Sequence, residues 1–206
     1  MQPDELLARR YPGPRAESKR RILQCALGLF NEHGIEATTI ELIRADSEMS
    51  VGSIYHHFGN KEGVLAALYL AALEDQAQLR EQYLQAAQTT QALVQALVFS
   101  YIDWVVAHPN WARFQYQARF SLSKSPLGDS LKSANQARNA QLRTWFAQHN
   151  SDQVLIDLPT ELIPSLIIGP AESYCRAWFS NRVRHSPETY RVHLAEAAWR
   201  AVARAQ

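Results

Sequence analysis

The residues with most to offer chemically lie in one short run, Ser50-Val51-Gly52-Ser53-Ile54-Tyr55-His56-His57-Phe58, with Thr38 and Thr39 upstream and Lys61 downstream. On a helix, such hydroxyls and rings can meet base edges and phosphates in a DNA major groove, which is about 12 Å wide and admits one helix. The run holds no Arg or Lys. Metal chemistry does not fit: His56 and His57 are adjacent, point about 100° apart on a helix, and cannot form an i, i+4 pair. No Glu-x-x-His occurs in the chain, which removes the usual di-metal bundle motif, and no nucleophile motif or phosphate-cradling glycine loop is present. Cys25 and Cys175 are too few and too far apart for a disulfide framework or a thiolate site, and read as reduced thiols in packed helices. No metal, cofactor or enzymatic activity is expected.

Bulk charge does not point to nucleic acid. The formal net charge is +1, and residues 1 to 62 hold eight Lys/Arg against nine Asp/Glu. A local cluster stands out instead: Arg9, Arg10, Arg15, Lys19, Arg20 and Arg21, opposed nearby only by Glu17. It reads as a solvated helix start or as a segment that follows a phosphate backbone.

The elements that would position the run are helices. Ile22, Ala26, Leu29 and His33 fall at i, i+4, i+7 and i+11, widened by Leu23, Leu27 and Phe30, and Gly34 suits a C-terminal cap. Thr38 with Glu41 predicts a capping box for a second, short helix that ends near Asp46-Ser47-Glu48. Ser50 predicts the N-cap of a third, reaching about His57, and Asn60 that of a fourth carrying Leu65, Leu68 and Leu73. Two short helices joined by a three- or four-residue turn cross steeply enough to present the second to DNA. From Leu93 both helical faces are apolar, predicting a central buried helix, and Pro109, Pro126 and Pro187 suit first helical positions. Pro164 and Pro170 predict a late start and a kink in the apolar segment 159–180. Tyr190, Leu194, Ala197 and Ala201 predict the packing stripe of a final helix. No convincing period-two strand is present, so the expected fold is all-α.

From Ile22-Leu23 through Leu29-Phe30, Gly34, Thr38-Thr39, Ile43, Ser50 to Phe58 and Lys61-Glu62, the sequence resembles the tetracycline-repressor (TetR) family of bacterial regulators. The resemblance spans the first third of the chain and implies an N-terminal three-helix helix-turn-helix domain over 1–62. It also implies a helical effector-binding and dimerisation domain over 63–206, about nine helices in all. Carried over position by position, it implies that Thr39 donates to a phosphate and that Val51 and Ser53 face base edges. Gly52 permits close approach, while Tyr55, His56 and Lys61 bind the backbone, with Ser50 at the start of the same DNA-binding helix. His57 is expected to be packed, with a phosphate contact as the other reading. Two departures stand out: Arg44 where the family has a small buried Ala, and Glu48 where it has the turn Gly.

The second domain is expected to hold an apolar or aromatic effector among Tyr101, Trp104, Phe114, Phe120, Trp145, Tyr174 and Trp178, beside the Pro-kinked helix. The expected function is a homodimeric repressor, released by that effector from a palindromic double-stranded operator. With no membrane-spanning run and no signal peptide at Met1 to Arg10, it is expected in the cytoplasm. The alternatives are a helical sensor or adaptor without specific operator binding, and a helical-bundle enzyme.

Overall fold

A computed structural model describes residues 4–123, 140, 144, 154–159 and 161–204, apart from the side chains of residues 120 and 123. Among the described residues there are nine α-helices: α1 (Glu5–Arg10), α2 (Glu17–His33), α3 (Ile40–Ser47), α4 (Val51–Phe58), α5 (Lys61–Gln85), α6 (Thr90–Ala107), α7 (Pro109–Ser123), α8 (Leu162–Phe179) and α9 (Arg191–Val202). Short 3-10 turns at Pro14–Ala16 and Pro187–Tyr190 precede α2 and α9. The chain divides into two compact units, Met1–Asp75 with Pro109–Leu131, and Gln76–His108 with Lys132–Gln206. A boundary at 62/63 therefore falls inside the first unit, because α7 packs on α2.

In the first unit, α2 packs against α1, α3, α4 and α7. Most of its apolar stripe is buried: Ile22, Leu23, Ala26 and Phe30 are fully enclosed, as are Ile43 of α3 and Ile54 of α4, whereas Leu29 is half-buried and His33, expected at the end of the stripe, is exposed. Phe30 stacks on Phe114 of α7 with ring centroids 5.8 Å apart. α1 was not anticipated. Its six residues are capped by Asp4, whose carboxylate accepts the Leu7 N–H at 3.0 Å, and Leu6 and Leu7 are buried.

The second unit is built on α6, packed by α8 and α9. Leu93, Val94, Leu97, Val98, Ile102 and Trp104 are buried on several sides of α6, as a helix apolar all round requires. By length and composition α6 would suffice to span a bilayer, yet more than half of it is enclosed in the protein. It begins at Thr90, capped by Thr89, three residues ahead of the expected Leu93. α8 starts at Leu162, so Pro164 lies in its first turn where no intrahelical N–H is needed, and Pro170 sits inside it. The expected stripe of the last helix needs correcting. Ala195, Ala198 and Val202 pack inward, one position round from the expected face, and Ala197 is exposed with Leu194 and Ala201 half-buried. A single bridge pairs Leu155 with Ala203. The expected start at Pro126 lies outside the described residues.

Candidate nucleic-acid interface

The two helices of the motif owe their ends to local side chains. Thr39 Oγ1 accepts the Leu42 N–H at 3.2 Å and caps α3, while Ser50 Oγ accepts the Ser53 N–H at 3.1 Å and caps α4. The capping box expected at Thr38 is thus displaced by one residue. Thr38 is fully buried, and its hydroxyl donates to the carbonyl of Gly34 at 2.8 Å, with that of Leu29 at 3.2 Å, closing the loop after α2. Both capping hydroxyls use a lone pair for the cap and keep a proton for an outside acceptor. With the uncapped N–H groups of each helix start, this suits a phosphate oxygen.

Between the helices, Glu48 adopts φ 54°, ψ 24°, the left-handed conformation that a glycine takes with least strain. The turn of the motif is kept despite the side chain, and the Glu48 carboxylate pairs with the Arg21 guanidinium on α2. Arg44 is exposed, so its bulk meets solvent where a buried Ala was the pattern. Ser47 takes the inward position instead, fully enclosed.

α4 turns Ile54 inward and leaves Val51, Gly52, Tyr55 and His56 exposed; Val51 retains 39% of its surface and Tyr55 50%. Large apolar groups left so open on a short capped helix form a surface made for contact. Space around Gly52 is free, since a Cβ there would meet only Ser50 Oγ at 3.9 Å. Ser53 is half-buried and lies at the edge of this face. His57 is half-buried, its ring 5.3 Å from that of His56 and 5.9 Å from that of Phe58. Burial, then the neighbouring His56 and Lys19 charges, hold its pKa below the ordinary histidine value.

α4 ends at Gly59, and Asn60 Oδ1 caps α5 through the Gly63 N–H at 2.8 Å. Lys61 has a protein role that the sequence did not disclose. Its ammonium donates to the carbonyls of Ile35 at 3.0 Å and Glu36 at 3.3 Å, bracing the loop that leads into Thr39. Four further cations of the N-terminal cluster are similarly engaged. Arg9 pairs with Asp75 at 2.7 Å, Arg10 with Glu74, and Arg20 donates to the carbonyls of Tyr11 and Gly13. Lys19 Nζ stands 4.5 Å from the Tyr11 ring centroid and 5.6 Å from that of Phe58. The carboxylate partners lie far along the chain, so no local signal could have found them.

The described residues expected around an effector are divided between the two units. Phe114 is fully buried against Phe30 in the first unit, a packing role. Trp104 is buried, 5.4 Å from the His108 ring, and Tyr101 is half-buried against the core formed by α6, α8 and α9. Tyr174 donates to the His185 carbonyl at 3.1 Å and meets the Tyr190 ring edge-on, and Trp178 packs on Phe179. Trp145 and the Phe120 side chain lie outside the described residues. Cys25 and Cys175 are buried free thiols; burial first, then the Asp46 carboxylate, pushes the Cys25 thiol up to about 12, far from the thiolate a redox role requires.

Residues 22–68 match the family model described as bacterial regulatory proteins, tetR family. Among curated proteins, the chain is similar to the HTH-type transcriptional repressor AcnR of Corynebacterium glutamicum, 41% identical over 64 residues, 31% of this chain and 32% of that protein. It is also similar to the HTH-type transcriptional repressor Rv3405c of Mycobacterium tuberculosis, 40% identical over 60 residues, 29% of this chain and 32% of that one. The chain thus matches about a third of the length of these relatives. Likeness of fold extends much further. A TetR family transcription regulator from Marinobacter aquaeolei superposes with TM-score 0.77 at 18% identity, over 93% of this chain and 98% of that one. The transcriptional regulator FadR from Bacillus subtilis, solved in complex with stearoyl-CoA, gives 0.72 at 16% identity, over 87% and 97%.

Proposed function

We propose that the protein, whose residues 22–68 match the model of the tetR family of bacterial regulatory proteins, is a ligand-responsive transcriptional repressor. It binds a palindromic operator as a homodimer in the cytoplasm and is released by a small apolar or aromatic effector. The observation that carries this reading is the surface of α4, capped by Ser50 and held by the left-handed turn at Glu48, with Val51, Gly52, Tyr55 and His56 exposed together. Thr39 and Ser50 supply hydroxyl protons for phosphates from the two helix starts, and Tyr55 and His56 supply further backbone contacts. Val51 and the edge residue Ser53 read bases by contact with thymine methyls and by a hydroxyl. Lys61 contributes its remaining N–H to a phosphate while it braces the loop before Thr39.

The effector reading draws support from the aliphatic core of the second unit, against which the half-buried rings of Tyr101 and Phe99 pack. A fold neighbour, FadR of Bacillus subtilis, is solved in complex with stearoyl-CoA, which is consistent with a small-molecule effector here. Linkage follows if effector binding favours a dimer whose two α4 helices no longer match half-sites about 34 Å apart. The curated relatives are transcriptional repressors and regulators, which supports a binding protein over an enzyme.

Selection of duplexes from a random pool by the full chain, followed by gel shift across a salt series, tests the DNA reading. Enrichment of a palindrome with steep salt dependence is the expected result. Recovery of no sequence above background would favour a sensor without operator binding.

A further inference from the structure

The N-terminal cations carry an inference that rests on the DNA-binding reading and deepens it. We propose that residues 4–11 form a clasp that positions the recognition helix α4 for DNA, and that the basic run serves this clasp rather than the phosphates. Asp4 anchors one end: Oδ1 caps α1 through Leu7, and Oδ2 accepts the Trp111 indole N–H of α7 at 2.9 Å. Leu6 and Leu7, 2% and 0% exposed, fill the inner side of α1. Arg9 and Arg10, on its outer side, reach Asp75 and Glu74 near the middle of α5. The chain then turns at Tyr11 and Gly13, whose carbonyls receive Arg20 of α2 at 2.6 and 2.8 Å. Lys19 lies over the Tyr11 ring and reaches the ring of Phe58, the last residue of α4.

A continuous path thus runs from Trp111 of α7 through α1, Tyr11 and Lys19 to the end of the recognition helix, with a branch to α5. Of the six clustered cations, Arg15 meets no partner among the described residues, and Arg21 is paired with Glu48 in the turn. The ion pairs are partly exposed, and pairs of this kind are individually weak. Several weak ties in parallel hold a segment in place and still let it open. Arg9, Arg10 and Lys19 are positioning residues, acting on DNA through α4 and not by contact.

The test uses the full chain and the duplex it enriches from a random pool. Arg9→Gln with Arg10→Gln should lower affinity about five-fold at every salt concentration. The slope of log affinity against log salt should stay unchanged, and hydrogen exchange of α4 amides should speed up in the free protein. Arg10→Glu alone should behave likewise, and adding Glu74→Arg should restore affinity to within two-fold of the parent. A slope lower by about 0.9 per cation removed would make them phosphate contacts and overturn the proposal. Unchanged affinity and exchange would overturn it too. If the double variant loses its cooperative thermal transition, Arg10→Gln alone carries the same comparison. If the parent enriches no duplex, the DNA reading falls while the exchange measurement still decides the clasp: faster α4 exchange supports it, unchanged exchange overturns it.

Discussion

At the scale of single residues, Gly52 and Glu48 separate folding from binding. A Cβ at Gly52 meets no neighbour closer than 3.9 Å, so nothing in the fold requires glycine there. Gly52→Ala should raise stability by up to about 1 kcal/mol through helix propensity. It should also weaken operator binding about ten-fold or more, since the added methyl stands between α4 and the groove floor. Urea denaturation and gel shift measured together check this; parallel losses in both would assign Gly52 a folding role. Glu48 tests strain against pairing. Its left-handed backbone costs about 1 kcal/mol with a side chain, but Glu48→Gly enlarges the unfolded ensemble and loses the exposed pair with Arg21. The net change in stability should lie between zero and about 0.5 kcal/mol. The freed Arg21 cation should steepen the salt dependence of DNA binding, and a flat salt response would leave Arg21 turned away from the duplex.

At the scale of elements, the joint between α4 and α5 depends on close backbone approach. A Cβ at Gly63 would stand 2.9 Å from the Phe58 carbonyl carbon and closer still to its oxygen. Backbone cannot yield there as a flexible side chain would, and the Asn60 cap on the same residue holds the start of α5 in place. Gly63→Ala should therefore destabilise by about 1–3 kcal/mol, despite the better helix propensity of Ala. The loss should appear as a lower urea midpoint, with DNA affinity reduced because α4 is displaced at its C-terminal end. A midpoint unchanged or raised would mean that the α4–α5 joint opens without cost.

At the scale of the whole molecule, the last helix offers an outer face on which the proposed homodimer can be tested. Ala195, Ala198 and Val202 are used within the chain, whereas Ala197 is exposed and Val192 keeps 54% of its surface. The proposed two-fold interface would bring this outer face of α9 against its copy, as an isologous contact requires. Light scattering should show a dimer at micromolar concentration. Ala197→Arg should give monomers by burying an unpaired charge, with an unchanged helical circular dichroism spectrum because the position is not part of the chain's own core. A variant that remains dimeric would move the interface off this face.

What the sequence by itself determined is whatever local chemistry decides. Gly34, Ser50 and Asn60 end or begin helices at the expected places, because a cap is a contract between residues three or four apart. The all-helical class and the buried α6 followed from periodicity for the same reason, while the outward run on α4 followed from the family resemblance. The tertiary structure decided what depends on distant partners. Thr39 and not Thr38 caps α3, since Thr38 is drawn inward to the Gly34 and Leu29 carbonyls. α1 forms although it offers only two apolar residues, because Trp111 and the α5 carboxylates receive it across many tens of residues. The face of α9 that packs is one position round from the apparent stripe, because the shape of α6 and α8, not the helix's own period, selects it. Above all, the cations of the N-terminal run carry the same charge in sequence whether they meet DNA or protein. Only folding brings Asp75 beside Arg9, Glu74 beside Arg10 and Glu48 beside Arg21.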